Sequence, residues 1–113
     1  MRCLVTGAAG FIGSAVVKRL VQNGHRVRAC LHTTSPPYRE KQAEYVVADL
    51  TNPASVSSLV SDIDVIFHCA AVVKDYGSKK QIMDVNLKGT EHLVEVARNK
   101  IQKFIFLSHL HSI

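Results

Sequence analysis

The chain's 113 residues are 47% hydrophobic and 20% charged, which excludes disordered, collagenous and coiled-coil classes and leaves room for a single domain. Fourteen Lys and Arg against nine Asp and Glu give a net charge of +5. That favours anionic ligands, but the basic residues are scattered and do not interleave with the few aromatics, which argues against nucleic acid as a partner. Cys3, Cys30 and Cys69 lie inside apolar runs rather than in Cys-x-x-Cys pairs. With neither a signal-peptide core nor the roughly 18 apolar residues of a membrane span, a cytoplasmic protein with reduced thiols and no membrane partner is expected.

Residues 2–6 form a short apolar run ended by Gly7, the pattern of a strand buried on both faces of a parallel sheet. Behind the glycines, Ile12, Val16, Val17, Leu20 and Val21 recur at helical spacing, opposed by Lys18, Arg19 and Gln22, and Asn23-Gly24 supplies the stop. Residues 25–31 read as a second strand, ended by the loop Thr33-Thr34-Ser35-Pro36-Pro37, and residues 44–48 as a short third. Asn52 before Pro53 predicts an N-cap and first helical position, with Val56, Leu59, Val60 and Ile63 as the apolar stripe behind them. Residues 65–71 are the next strand, Ile82, Val85, Gly89, Leu93 and Val96 mark a long helix, and residues 104–108 are the last strand. Strands alternating with helices predict right-handed crossovers: one α/β domain over residues 1–113, a doubly wound parallel sheet of order 3-2-1-4-5.

Thr6-Gly7-Ala8-Ala9-Gly10-Phe11-Ile12-Gly13 joins the first strand to the first helix. Backbone amides, those of Phe11 and Ile12 among them, and the positive helix end converge there on a site that suits a pyrophosphate. Gly7 permits a tight turn, Gly10 admits phosphates where a Cβ would intrude, and Gly13 allows close packing of helix on strand. Asp49, Cys69 and Ser108 fall at carboxyl ends of strands, which border the ligand crevice of an open α/β sheet. Asp49 has a competing reading as the cap of the turn before Pro53. His68 reads as a hydrogen-bonded core histidine, and Asn86, on an apolar helical face, needs a backbone or ligand partner.

With these features in order, the chain resembles the extended short-chain dehydrogenase/reductases, a Rossmann-type family that includes nucleotide-sugar epimerases, dehydratases and related reductases. The likeness rests on residues 6–14, Asp49-Leu50, His68-Cys69-Ala70-Ala71, Asn86-Leu87-Lys88-Gly89-Thr90 and Phe104-Ile105-Phe106-Leu107-Ser108. It implies an NAD or NADP cofactor across the strand ends, with Asp49 accepting from the adenine amino group beside Leu50. Cys69, Ala70 and Ala71 would line the nicotinamide ribose side, and Asn86 would sit in the cleft. The implied function is the NAD(P)-binding portion of a nucleotide-sugar epimerase/dehydratase or related carbonyl reductase; the alternative is a binding or sensing module without chemistry. An NAD-preferring site carries an acid roughly 20 residues beyond the glycine loop. Here Cys30-Leu31-His32-Thr33-Thr34 has none; it also lacks the arginine of related NADP-dependent reductases, although Arg28, His32 and Arg39 are close in sequence and Thr33, Thr34 and Ser35 offer hydroxyls, which gives NADP a slight preference.

No catalytic residue is assigned. The family's Tyr-x-x-x-Lys is expected after the last strand, whereas Tyr76-Gly77-Ser78-Lys79-Lys80 precedes the Asn86 helix and reads as a polar loop. His109 stands where the resemblance places a catalytic serine or threonine. His109 and His111 lack a third ligand, so no metal is expected. The apolar last strand, with no helix after it, leads to the expectation of a longer enzyme truncated after its fifth strand, or an edge open to homo-oligomer formation.

Overall fold

A computed structural model describes residues 1–32, 39–72, 89–96, 101 and 103–110. Five strands, β1 (Arg2–Thr6), β2 (Arg26–Leu31), β3 (Ala43–Val47), β4 (Val65–Val72) and β5 (Lys103–Leu110), pair in the order β3-β2-β1-β4-β5. Every pairing is parallel, the arrangement that alternating strands and helices predict. Helix α1 (Phe11–Gln22) follows β1, α2 (Pro53–Leu59) follows β3, and residues 89–96 are helical before β5.

Successive β1 side chains face opposite sides of the sheet. Leu4 joins Ile66, Val56, Leu59, Val60, Ile63 and Leu93 in a core under α2 and the helical stretch 89–96. Val5 joins Val27, Ala29, Leu31, Cys69 and Val17 in a second core under α1. A strand covered on both sides has no polar face, which is why β1 reads as an unbroken apolar run.

The helix ends follow from their capping residues. The Asn52 side chain accepts a hydrogen bond from the Ala54 N–H at 3.0 Å, with Pro53 at the first helical position. Asn23 ends α1, and Gly24 takes φ +83°, the left-handed conformation that glycine tolerates best. Helix α2 is shorter than its apolar stripe: it stops at Leu59, so Val60 and Ile63 reach the core from the turn beyond it. There Asp62 takes φ +62°. Periodicity marked those residues correctly as buried and incorrectly as helical, since a tight turn can carry side chains to the same face. Strand β3 begins one residue earlier than the spacing predicted, at Ala43, where the register pairs it with Val27.

Candidate functional site

The carboxyl ends of β1 and β4 meet beneath the loop between β1 and α1. Gly7 takes φ +65°, and a Cβ there would collide with the Cys69 carbonyl oxygen; a Cβ on Gly13 would collide with the Gly7 carbonyl oxygen. Both glycines are therefore demanded by the protein's own backbone. Gly10 differs. It is exposed, its backbone is extended (φ −77°, ψ 172°), and among the described residues a Cβ there would meet only the Gly7 carbonyl oxygen, at 3.4 Å. The fold itself would accept alanine at position 10.

The turn is held by the Gly10 N–H donating to the Gly7 carbonyl and the Ala8 N–H donating to the Cys30 carbonyl, both at 3.1 Å. The second bond ties the loop to β2. The first-turn amides of α1 have no carbonyl one turn back within the helix. Gly10, at the N-cap, brings no side chain, and the first turn holds no acidic residue. The chain thus leaves the positive end of α1 without a carboxylate of its own, and with the open face of Gly10 this is the environment that two linked phosphates fit. Phe11 is 83% exposed, whereas Ile12 packs against the α1-side core.

Along the same edge, Asp49 and Leu50 follow β3. One Asp49 carboxylate oxygen, Oδ1, accepts from the Thr51 N–H at 2.9 Å and from the Thr51 hydroxyl at 2.6 Å, so Asp49 does cap its own turn. The Thr51 hydroxyl is the chief reason its carboxyl titrates below the usual range, followed by the Thr51 N–H. His32 is exposed at the end of β2. The Leu50 carbonyl accepts from His92 Nδ1 at 2.7 Å, and a Cβ on Gly89 would stand 3.0 Å from Leu50 Cβ. The helical stretch 89–96 is thereby pressed against the Asp49-Leu50 segment.

His68 and Thr6 are cross-strand neighbours in the β1–β4 register. The Thr6 hydroxyl lies 2.6 Å from His68 Nδ1, and the Thr90 hydroxyl 2.7 Å from His68 Nε2. Both ring nitrogens are satisfied, as a core histidine requires. Burial lowers its pKa to about 4, so the ring is neutral near pH 7. Cys69 is buried, its thiol pushed up to about 11 by desolvation, and it packs in the α1-side core while its carbonyl backs onto Gly7.

The backbone of β4 and β5 sets Ala70 beside Ser108 and Ala71 beside His109 at the carboxyl ends of adjacent strands. Asn86, Tyr76 and His111 lie outside the described residues. Arg28 departs from the sequence reading. It serves no cofactor end: its guanidinium donates to the Leu59 and Ser61 carbonyls at 2.8 and 2.9 Å and to Glu44 at 2.8 Å, closing the C-terminus of α2. Mid-strand in β2, its side chain lies along the sheet face rather than at the strand end. Thr6 and Thr90 enter the sequence reading only as members of the motifs that carry the resemblance, with no role, and His92 does not enter it. The only hint was Gly89 on the apolar helical stripe, which signals a close approach without naming its partner.

Comparison with known proteins gives one family. The model of the NAD dependent epimerase/dehydratase family matches residues 3–109. A 3-beta-hydroxysteroid dehydrogenase of Mycolicibacterium neoaurum is 34% identical over 93% of this chain, which spans 31% of that protein. A UDP-glucose 4-epimerase from Thermotoga maritima, solved with UDP-glucose, superposes with a TM-score of 0.82 at 28% identity, over 94% of this chain and 37% of that one. A short-chain dehydrogenase/reductase superfamily protein from Agrobacterium tumefaciens, solved with bound NAD, does so with a TM-score of 0.74 at 26% identity, over 94% and 32%. The chain thus spans about a third of the length of the relatives it matches.

Proposed function

The chain belongs to the NAD dependent epimerase/dehydratase family, and from that premise we propose that it binds a dinucleotide with the pyrophosphate against residues 7–13 and the adenine beside Asp49-Leu50. The observation that carries this reading is the contrast among the loop glycines. Gly7 and Gly13 answer to the chain's own carbonyls, while Gly10 is exposed and among the described residues a Cβ there meets the Gly7 carbonyl at no less than ordinary contact distance. A glycine without an internal reason, at the start of an uncapped helix, is accounted for by a phosphate that must come close.

In this reading the amides of Phe11, Ile12 and Gly13 donate to phosphate oxygens. Asp49, with Oδ1 already engaged by Thr51, accepts from the adenine amino group through its other oxygen. Cys69, Ala70, Ala71 and Ser108 border the nicotinamide end, and Asn86 contributes from the cleft. A nicotinamide, when bound, supplies the hydride acceptor or donor; the residues of this chain bind and orient it. For the whole protein, a hydroxysteroid dehydrogenase and a UDP-glucose 4-epimerase among the relatives support oxidation and reduction at a carbinol or carbonyl centre of a nucleotide sugar or similar substrate. The lack of a carboxylate at Cys30-Leu31-His32, with His32 exposed at that strand end, supports NADP over NAD. Three buried, unpaired cysteines support residence in a reducing, cytoplasmic compartment.

Titration with NADH and NADPH followed by fluorescence tests the assignment. Saturable binding of both, tighter for NADPH, is expected, and Gly10→Val should abolish it. Binding that survives Gly10→Val would remove the loop from the site.

A further inference from the structure

The buried histidine of β4 has a second consequence. His68 holds Thr6 on one side and Thr90 on the other, so it links the β1 strand end that carries the glycine loop to the helical stretch 89–96. That stretch reaches the opposite half of the crevice: Gly89 stands against Leu50, and His92 Nδ1 donates to the Leu50 carbonyl across 42 residues of sequence. Asp49 is the next residue. From Thr6 to Leu50 the contacts run through hydrogen bonds at His68 and His92, joined by one turn of the helical stretch, with Gly89 packed closely against the Leu50 side chain. The apolar core alone could hold 89–96 to the sheet through Leu93, but hydrophobic contacts do not specify position along the helix axis, whereas two directed hydrogen bonds do.

We propose that Thr90 and His92 are positioning residues for dinucleotide binding: Thr90 docks the helical stretch on His68, and His92 with Gly89 sets where Asp49-Leu50 stands relative to the glycine loop. This rests on the reading of Asp49-Leu50 as the adenine side, so the test has one readout that needs no ligand.

Thr90→Val keeps the shape and removes the hydroxyl; Thr90→Ser keeps the hydroxyl. In the chain without ligand, Thr90→Val should shift the backbone amide resonances of Leu50 and Thr51 and the ring nitrogen resonances of His92, and Thr90→Ser should restore them. In NAD titrations, Thr90→Val should weaken binding about tenfold, the scale of one buried hydrogen bond, with Thr90→Ser close to the parent chain. A Thr90→Val protein of lower Tm whose Leu50 and Thr51 resonances and NAD affinity are unchanged would show a merely structural hydroxyl and overturn the proposal. If the parent chain itself binds neither NAD nor NADP, the adenine reading falls, and the resonance shifts still decide the coupling. Should Thr90→Val not fold, His92→Leu against His92→Asn, whose amide can take the place of Nδ1, asks the same question with the same two readouts.

Discussion

The two ends of the sheet use polar groups in opposite ways. At the amino ends, charges are matched to the chain itself. Arg28 bridges Glu44 and the α2 terminus, while Asp64 accepts from the Arg2 N–H at 2.9 Å and lies 3.7 Å from the Arg2 guanidinium. At the carboxyl ends Gly7, Gly10 and Asp49 are exposed, and α1 starts without a side-chain cap. The amino-end charges are committed to partners in the chain, whereas at the carboxyl ends the polar bonds within the chain leave Asp49 exposed and the first turn of α1 without an acidic side chain. Strand direction explains the division: in a parallel sheet every helix that follows a strand starts at the same edge, so positive helix ends gather there.

This contrast can be broken or sharpened by substitution. The largest effect is expected for Gly13→Ala, whose Cβ would meet the Gly7 carbonyl: about 4 kcal/mol of stability lost in urea denaturation, because neither backbone segment can give way. Next comes acid. The pKa of His68 is lowered to about 4 in the folded protein, so the unfolded chain binds more protons below pH 6.5. Stability should be fully present above that pH and fall as pH drops toward 4, by on the order of 3 kcal/mol. His68→Asn, followed by thermal melts across that window, should flatten the profile; an unchanged profile would mean that other groups set the acid response.

Gly10→Val should abolish dinucleotide binding in the titration, a loss of at least about a hundredfold or roughly 2.7 kcal/mol, with little change in Tm, the reverse of Gly13→Ala. Arg28→Ala should be smallest, about 1 to 2 kcal/mol by denaturation with an unaltered dinucleotide Kd. A change in Kd on removing Arg28 would erase the distinction between the two ends.

Much of this was legible without coordinates. Asn52-Pro53 announces a helix start because a side-chain oxygen can satisfy an amide two residues on and proline needs no donor. The apolar runs of β1 and β4 announce buried parallel strands, and His68, inside one of them, reads as a hydrogen-bonded core histidine. Less legible were partners. Arg28, close in sequence to the loop that ends the second strand, is consistent with a phosphate partner from sequence, and only the packing of α2 shows its guanidinium committed to Leu59 and Ser61. Thr90 and His92 carry no local signature, since their meaning lies in His68 and Leu50, which approach only when the sheet has assembled.

By itself the order of residues determined the alternation of strands and helices, the sheet order and the position of the glycine loop, because periodicity, capping and turn preferences act over a few neighbouring residues. Tertiary structure alone decided which glycine is left open to a ligand, which arginine is spent on the fold and which histidine seats Leu50. Those depend on backbone approaches and hydrogen bonds between segments far apart in the chain, whose partners no local pattern can name.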